Sequence, residues 1–150
     1  MRFTLDTNIL IYPLDSSTPD KQAIARDLMR RSRDADIVLT AQALGEFVNV
    51  VRRKYASLYP VARAQAERWS ELFPVAATNA DVVMKAAEFG RRYKLQFWDS
   101  VIWQAARSAD ATIFITEDLQ DGLSIDGMTV IHPFKPANAE ALNVVLASTR

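Results

Sequence analysis

The sequence contains no cysteine and only one histidine, His132. Without cysteine the chain can form no disulfide, no thiolate metal site and no cysteine nucleophile. A single histidine rules out histidine-rich zinc sites and argues against a Ser-His-Asp catalytic triad. No apolar run approaches the roughly 20 residues that a membrane-spanning helix needs, so we expect no membrane partner.

The chain also lacks an excess of charge of either sign. Its 18 Lys and Arg residues balance 18 Asp and Glu residues, and the sequence pI is about 6.6. Proteins that bind nucleic acid through overall charge are normally basic. An RNA ligand would therefore have to be held by local basic patches and by metal bound to acidic residues. The first six residues are typical of a strand and not of a signal peptide, so we expect a cytoplasmic protein.

The 150 residues are sufficient for one domain with a buried core, and 49% of them are hydrophobic. Runs rich in β-branched and aromatic residues predict strands, and they alternate with segments of helical periodicity. The predicted strands are residues 3–5, 37–40, a short edge strand within 73–76, 112–116 and 128–131. This alternation predicts an α/β fold, a three-layer α/β/α sandwich around a central, mainly parallel sheet.

Acidic residues stand at or near the ends of several predicted elements. They are Asp6, Glu46, Asp99, and Asp118 with Asp121. Ligands of open α/β sheets bind where the carboxyl ends of the strands meet, so we expect these acids to share one crevice. Carboxylates that are close together repel one another, and a hard divalent cation such as Mg²⁺ is the usual compensation.

Each acid also has a purely structural interpretation. Asp6 could cap a turn, and Glu46 lies opposite the apolar stripe of its helix, where a solvated face is expected. Asp99 and Ser100 are predicted to begin a helix, where an acid is favoured by the helix dipole. The apolar residues on both sides of Asp99, including Phe97 and Trp98, predict that this turn is buried. The argument for a common site is therefore a joint one.

The order and spacing of four short motifs resemble those of PIN domains, and more narrowly of VapC-type toxin ribonucleases of bacterial toxin–antitoxin pairs. The motifs are Leu5-Asp6-Thr7-Asn8, Glu46-Phe47, Trp98-Asp99-Ser100 and Thr116-Glu117-Asp118. The resemblance implies a Mg²⁺-dependent (or Mn²⁺-dependent) endoribonuclease whose catalytic and metal-binding residues are Asp6, Glu46, Asp99 and Asp118. Thr7, Asn8, Thr116 and Asp121 would position the metal ligands or a phosphate. It also implies a homodimer and a cognate antitoxin that plugs the acidic groove.

One motif departs from the commoner family pattern, because Asp118 stands where Asn is usual. Either Asp118 or Asp121 could be the fourth acid, and we favour Asp118 because it is nearer the strand end. The likeness covers residues 1–134, the expected nuclease domain. Residues 135–150 are expected to be a linker and a helix that packs on the same domain or on a dimer partner.

Two other functions are compatible with parts of the sequence. A PIN-like domain without catalysis could bind RNA or protein, although the retained acids argue against this. A haloacid-dehalogenase-like phosphatase also begins with an aspartate after its first strand. It would require a second aspartate two residues later, where this chain has Asn8.

Overall fold

The computed structural model describes residues 1–150, with six strands and seven α-helices. The strands are β1 (Phe3–Leu5), β2 (Leu39–Thr40), β3 (Val75–Ala76), β4 (Ile113–Ile115), β5 (Ser124–Ile125) and β6 (Met128–Ile131). The helices are α1 (Thr7–Ile11), α2 (Pro19–Arg31), α3 (Ala41–Lys54), α4 (Tyr59–Leu72), α5 (Ala80–Tyr93), α6 (Phe97–Ser108) and α7 (Ala139–Ala147). The chain divides into two units: Met1–Ile37 with Ala111–Arg150, and Val38–Asp110.

The first unit contains a four-stranded sheet in the order β1-β4-β6-β5. The pairs β1–β4 and β4–β6 are parallel, with Leu5 opposite Ile115 and Ile115 opposite Ile131. Both β1 and β4 are buried throughout, as expected of parallel strands that are covered on both faces. Only β5 is antiparallel, and Asp126-Gly127, both with positive φ, form its tight turn to β6. The predicted α/β class with a mainly parallel sheet is confirmed.

Two longer helices of the first unit, α2 and α7, have local features that explain their position. The helix α2 starts at Pro19, which suits a first helical position because proline has no N–H to lose there. The terminal helix α7 buries Leu142, Val145 and Leu146. Just beyond α7, the Ser148 carbonyl accepts a backbone hydrogen bond of 2.7 Å from Asp36. None of the helices combines the length and apolarity needed to span a membrane.

The second unit pairs β2 with β3 in parallel. Only the second half of the predicted strand 37–40 belongs to β2, since Ile37 instead forms an isolated parallel bridge with Phe3. Polar side chains cap two helices that follow these strands: Thr40 accepts from the Ala43 N–H at 3.1 Å, and Asn79 accepts from the Val82 N–H at 2.9 Å. These caps explain why α3 and α5 begin where they do.

Candidate functional site

The candidate site begins at the carboxyl ends of β1 and β4, which are neighbours in the sheet. Leu5 pairs with Ile115, so Asp6 and Thr116 each follow the last paired residue of their strand. The Asp6 backbone N–H donates to the Ile115 carbonyl at 3.0 Å and extends the ladder by one bond. Two parallel strands therefore bring a carboxylate and a hydroxyl to the same edge of the sheet.

Asp6 is buried, with only 3% of its surface exposed. It is the N-cap residue of α1, and its Oδ1 accepts from the Thr7 N–H at 2.7 Å. Its Oδ2 accepts from the Thr116 hydroxyl at 2.8 Å. A carboxylate that is removed from water requires such hydrogen bonds to offset its lost hydration. They also hold the Asp6 carboxylate in one orientation. Thr7, the next residue in the sequence, is buried as well.

The Thr116 hydroxyl connects Asp6 to Asp118. The same oxygen that donates to Asp6 accepts from the backbone N–H of Asp118 at 3.1 Å. The Asp118 side chain is exposed, and its Oδ2 accepts from the Asn8 amide at 3.1 Å. The predicted residues Asp6, Asn8, Thr116 and Asp118 therefore lie together.

Asp121 is engaged in a different set of contacts. Its Oδ1 accepts from the His132 backbone N–H and from the Asn138 amide, both at 2.9 Å. The Lys135 ammonium lies 3.5 Å from its Oδ2. The hydrogen bond from His132 is the largest of the effects that lower the pKa of the Asp121 carboxyl below its ordinary value. Asp121 thus ties β6 to the segment that leads into α7.

In the second unit, Glu46 lies near the middle of α3 and is half-buried. The Gln42 side-chain amide, one turn earlier, donates to Glu46 Oε1 at 2.7 Å and so orients the carboxylate. Around it is an open depression lined by Ala41, Gln42, Gly45, Glu46, Asn49 and Thr78. The helix face that carries Glu46, opposite the apolar stripe, therefore borders a concave surface.

Asp99 is the third residue of α6, and the prediction that the helix starts at Asp99 is wrong by two residues. The Gln96 carbonyl accepts the first hydrogen bond of the helix, from the Ser100 N–H at 3.0 Å, so the helix begins at Phe97. The prediction that the whole turn is buried is also wrong. Phe97 and Trp98 are 38% and 48% exposed, and Asp99 is half-buried. The rings of Phe97 and Trp98 pack against each other edge to face, with centroids 4.8 Å apart, instead of entering the core.

A group that the sequence analysis missed surrounds Glu117, between Thr116 and Asp118. The Tyr12 hydroxyl donates to Glu117 Oε1, and the Lys21 ammonium donates to Oε2 at 2.7 Å. Burial alone would raise the pKa of Glu117, but these two hydrogen bonds outweigh it and the pKa is lowered. Tyr12 and Lys21 are about a hundred residues from Glu117 in sequence, and no short-range pattern indicates that they meet.

The side chains that meet at the carboxyl ends of β1 and β4 are carboxylates, a hydroxyl and a neutral amide. Two carboxylates and a hydroxyl suit a hard divalent cation such as Mg²⁺ or Mn²⁺, whereas soft metals select thiolates. The chain contains no thiolate at all. Asp6, Asp99 and Asp118 each offer one carboxylate oxygen of the kind that can hold such an ion. The residues therefore fit a hard cation.

Sequence comparison finds a family model that matches most of the chain. The model describes the PIN domain and matches residues 3–120. Among curated protein sequences, none is similar enough to count as a match.

Several solved structures resemble the chain in fold. VapC20 of Mycobacterium tuberculosis, a toxin that cleaves the sarcin-ricin loop, has a TM-score of 0.62 at 18% identity, over 75% of this chain and 86% of that one. A toxin–antitoxin complex from Klebsiella pneumoniae gives 0.61 at 22% identity, over 87% and 96%. PAE2754 of Pyrobaculum aerophilum gives 0.57 at 16% identity, over 98% and 96%. At these identities the likeness establishes the fold.

Proposed function

The chain belongs to the PIN domain family, and from this premise we propose that it is a metal-dependent endoribonuclease that hydrolyses phosphodiester bonds in RNA. Proteins of this family are generally nucleases. The observation that carries the proposal is the arrangement of Asp6 and Asp118 at the ends of adjacent strands, with Thr116 hydrogen-bonded to both. A surface acid that merely solvates a loop would not require a buried partner of this kind.

We propose Asp6, Asp99 and Asp118 as the metal ligands, with Glu46 as a further acid that binds metal or orients water. Asp99 and Glu46 are included because of the family motifs. When bound, Mg²⁺ or Mn²⁺ would activate a water molecule and offset the negative charge that builds up on the phosphate. No nucleophilic side chain is needed, which suits a chain without cysteine.

The remaining residues of the proposed site have positioning roles. Thr116 holds Asp6 and the Asp118 backbone through one hydroxyl, and Asn8 holds the Asp118 carboxylate. The backbone N–H of Thr7 supports the other oxygen of Asp6. Each bond fixes an acid before substrate arrives, so less reorganisation is needed during the reaction. We propose Asp118 as the acid of this loop that binds metal, because the carboxylate of Asp121 already binds other groups.

We also propose that the protein is the toxin of a toxin–antitoxin pair. The support is the fold, which is shared with a VapC toxin and with a toxin–antitoxin complex. In that role it would act in the cytoplasm as a homodimer, and its cognate antitoxin would occupy the acidic groove. The rival is a PIN-like domain that binds RNA or protein without cleaving.

An RNA cleavage assay with and without EDTA tests the proposal. We expect the purified protein to cut RNA in millimolar Mg²⁺ or Mn²⁺ and to stop when EDTA is added. Asp6→Asn preserves the shape of the side chain but removes its charge, so it should lose cleavage while remaining folded by circular dichroism. Asp20→Asn makes the same change at an exposed position of α2 and should cut normally.

Expression in bacteria extends the test to the toxin proposal. The wild-type chain should arrest growth, and Asp6→Asn at the same protein level should not. RNA binding that persists in EDTA, with no cleavage under any metal condition, would support the binding-domain rival instead.

A further inference from the structure

The segment that follows β4 is attached to the segment that follows β1 at three consecutive residues. Thr116 donates to Asp6, Glu117 accepts from Tyr12, and Asp118 accepts from Asn8. The first and third of these contacts involve proposed site residues. The contact between Glu117 and Tyr12 has no part in the proposed chemistry, yet more neighbouring groups reinforce it than reinforce the other two.

Glu117 occupies a nearly closed environment, with 14% of its side chain exposed. Its two carboxylate oxygens are bound separately, one by the Tyr12 hydroxyl and the other by the Lys21 ammonium at 2.7 Å. Two aromatic rings flank the cation, since Lys21 Nζ lies 5.2 Å from the Tyr12 ring centroid and 5.3 Å from that of Phe134. The two rings themselves pack edge to face at 5.3 Å.

These contacts constrain Glu117 more tightly than an ordinary surface ion pair would. Exposed ion pairs contribute little, because water screens them and flexible side chains lose entropy on pairing. Here the carboxylate is largely removed from water, and the cation packs against aromatic faces that attract positive charge. Withdrawing either partner would leave a poorly hydrated charge, so the arrangement resists displacement.

We propose that Glu117 is a positioning residue that, anchored by Tyr12 and Lys21, fixes the neighbouring Asp118 for metal binding. The inference rests on the proposed function, because it requires Asp118 to be a ligand. Asp118 itself is exposed and lies in a loop, where its carboxylate has one side-chain hydrogen bond, from Asn8, and its backbone N–H has one, to Thr116. Immobilising Glu117, the residue directly before it, reduces the entropy that the Asp118 carboxylate must lose when it binds an ion.

A Mn²⁺ titration tests the inference without reference to activity. Electron paramagnetic resonance measures the concentration of free Mn²⁺ at each step and so gives the Kd. We expect Glu117→Ala to raise the Kd for Mn²⁺ by about 10-fold, within the range seen when an outer-shell partner of a metal ligand is removed. Lys21→Met should raise it less, and Lys21→Arg should restore most of the affinity. Lys85→Met removes the cation of an exposed pair with Asp81 on α5 and should leave the Kd unchanged.

Two further variants make the result decisive. Glu117→Gln keeps an acceptor for Tyr12 but loses the charge that binds Lys21, so it should give an intermediate Kd and carries the test if Glu117→Ala does not fold. Wild-type affinity in folded Glu117→Gln and Lys21→Met would overturn the inference. Asp6→Asn, titrated in parallel, separates the two proposals: if it too binds Mn²⁺ normally, the proposed metal site itself is wrong.

Discussion

Asp118 and Asp121 are three residues apart in one loop, yet their surroundings differ. The exposed carboxylate of Asp118 has one side-chain partner, Asn8, and its backbone is bound by Thr116. The carboxylate of Asp121 accepts two hydrogen bonds and faces a lysine. The two acids thus have different environments in the structure, although the local sequence does not distinguish them.

We expect Asp118→Asn and Asp121→Asn to have different consequences in the RNA cleavage assay. Asp118→Asn should reduce cleavage by more than about 100-fold. Loss of a residue that only supports a metal ligand costs up to about 100-fold, and loss of a ligand itself should cost more. Asp121→Asn should cleave at close to the wild-type rate but lower the free energy of unfolding by about 1 kcal/mol, because its hydrogen bonds become neutral. The opposite order of cleavage rates would show that Asp121 is the fourth acid.

Glu117 should make the stability of the protein sensitive to acid. Because its pKa is lowered in the folded state, its stabilising effect is present above the ordinary value of 4.5 and is lost as pH falls through the lowered folded pKa. Urea unfolding of wild type and Glu117→Gln should therefore show a difference in free energy that is largest near neutral pH and shrinks below about pH 4.5. A difference that stays constant from pH 7 to pH 3 would contradict this expectation.

At the scale of elements, two helical glycines have opposite surroundings. A methyl group added at Gly45 on α3 would have nothing within 4 Å. One added at Gly90 on α5 would lie 2.9 Å from the Ser100 hydroxyl oxygen and 3.2 Å from the Leu95 carbonyl oxygen. Gly90 thus allows α5 to approach the start of α6 closely, whereas Gly45 has no such packing role.

Replacing each glycine by alanine tests this difference. Gly45→Ala should raise the free energy of unfolding by about 0.5–1 kcal/mol, because alanine loses less backbone entropy in a helix. Gly90→Ala should lower it by about 1–3 kcal/mol, since the added methyl overpacks the contact between the helices. Chemical denaturation of the two variants measures both values, and stabilisation by Gly90→Ala would show that the contact yields without strain.

At the scale of the whole molecule, metal binding should stabilise the folded chain. A ligand that binds only the native state adds about 2.7 kcal/mol at a hundred times its Kd, which corresponds to roughly 5–10 °C in Tm for a chain of this size. Asp99→Asn should melt at or above the wild-type temperature in EDTA, because one repelling charge is gone. It should gain much less from added Mg²⁺ or Mn²⁺.

Melting curves of wild type, Asp99→Asn and Asp20→Asn, each in EDTA and in millimolar metal, decide the matter. Asp20→Asn should respond to metal as wild type does. If Asp99→Asn also shows the full response, Asp99 serves only the first turn of α6 and is not a ligand.

Local patterns predicted much of the fold because their causes are local. Thr40, Asn79 and Pro19 mark helix starts through hydrogen bonds or ring geometry within a few residues. The run 112–116 predicted β4 for a similar reason, since β-branched residues favour extended backbone. The exposed pair Phe97 and Trp98 was mispredicted, because apolar character alone does not say whether a ring meets the core or only another ring.

The sequence by itself determined the class of fold and the approximate positions of most elements, since propensity, capping and periodicity act over a few residues. Only the tertiary structure decided that β1 lies beside β4, so that Thr116 reaches Asp6 across 110 residues. It also decided that Asp121 binds His132 and that Lys21 meets Glu117, 96 residues away. Such contacts depend on which strands become neighbours, and that choice follows from burying the whole core at once.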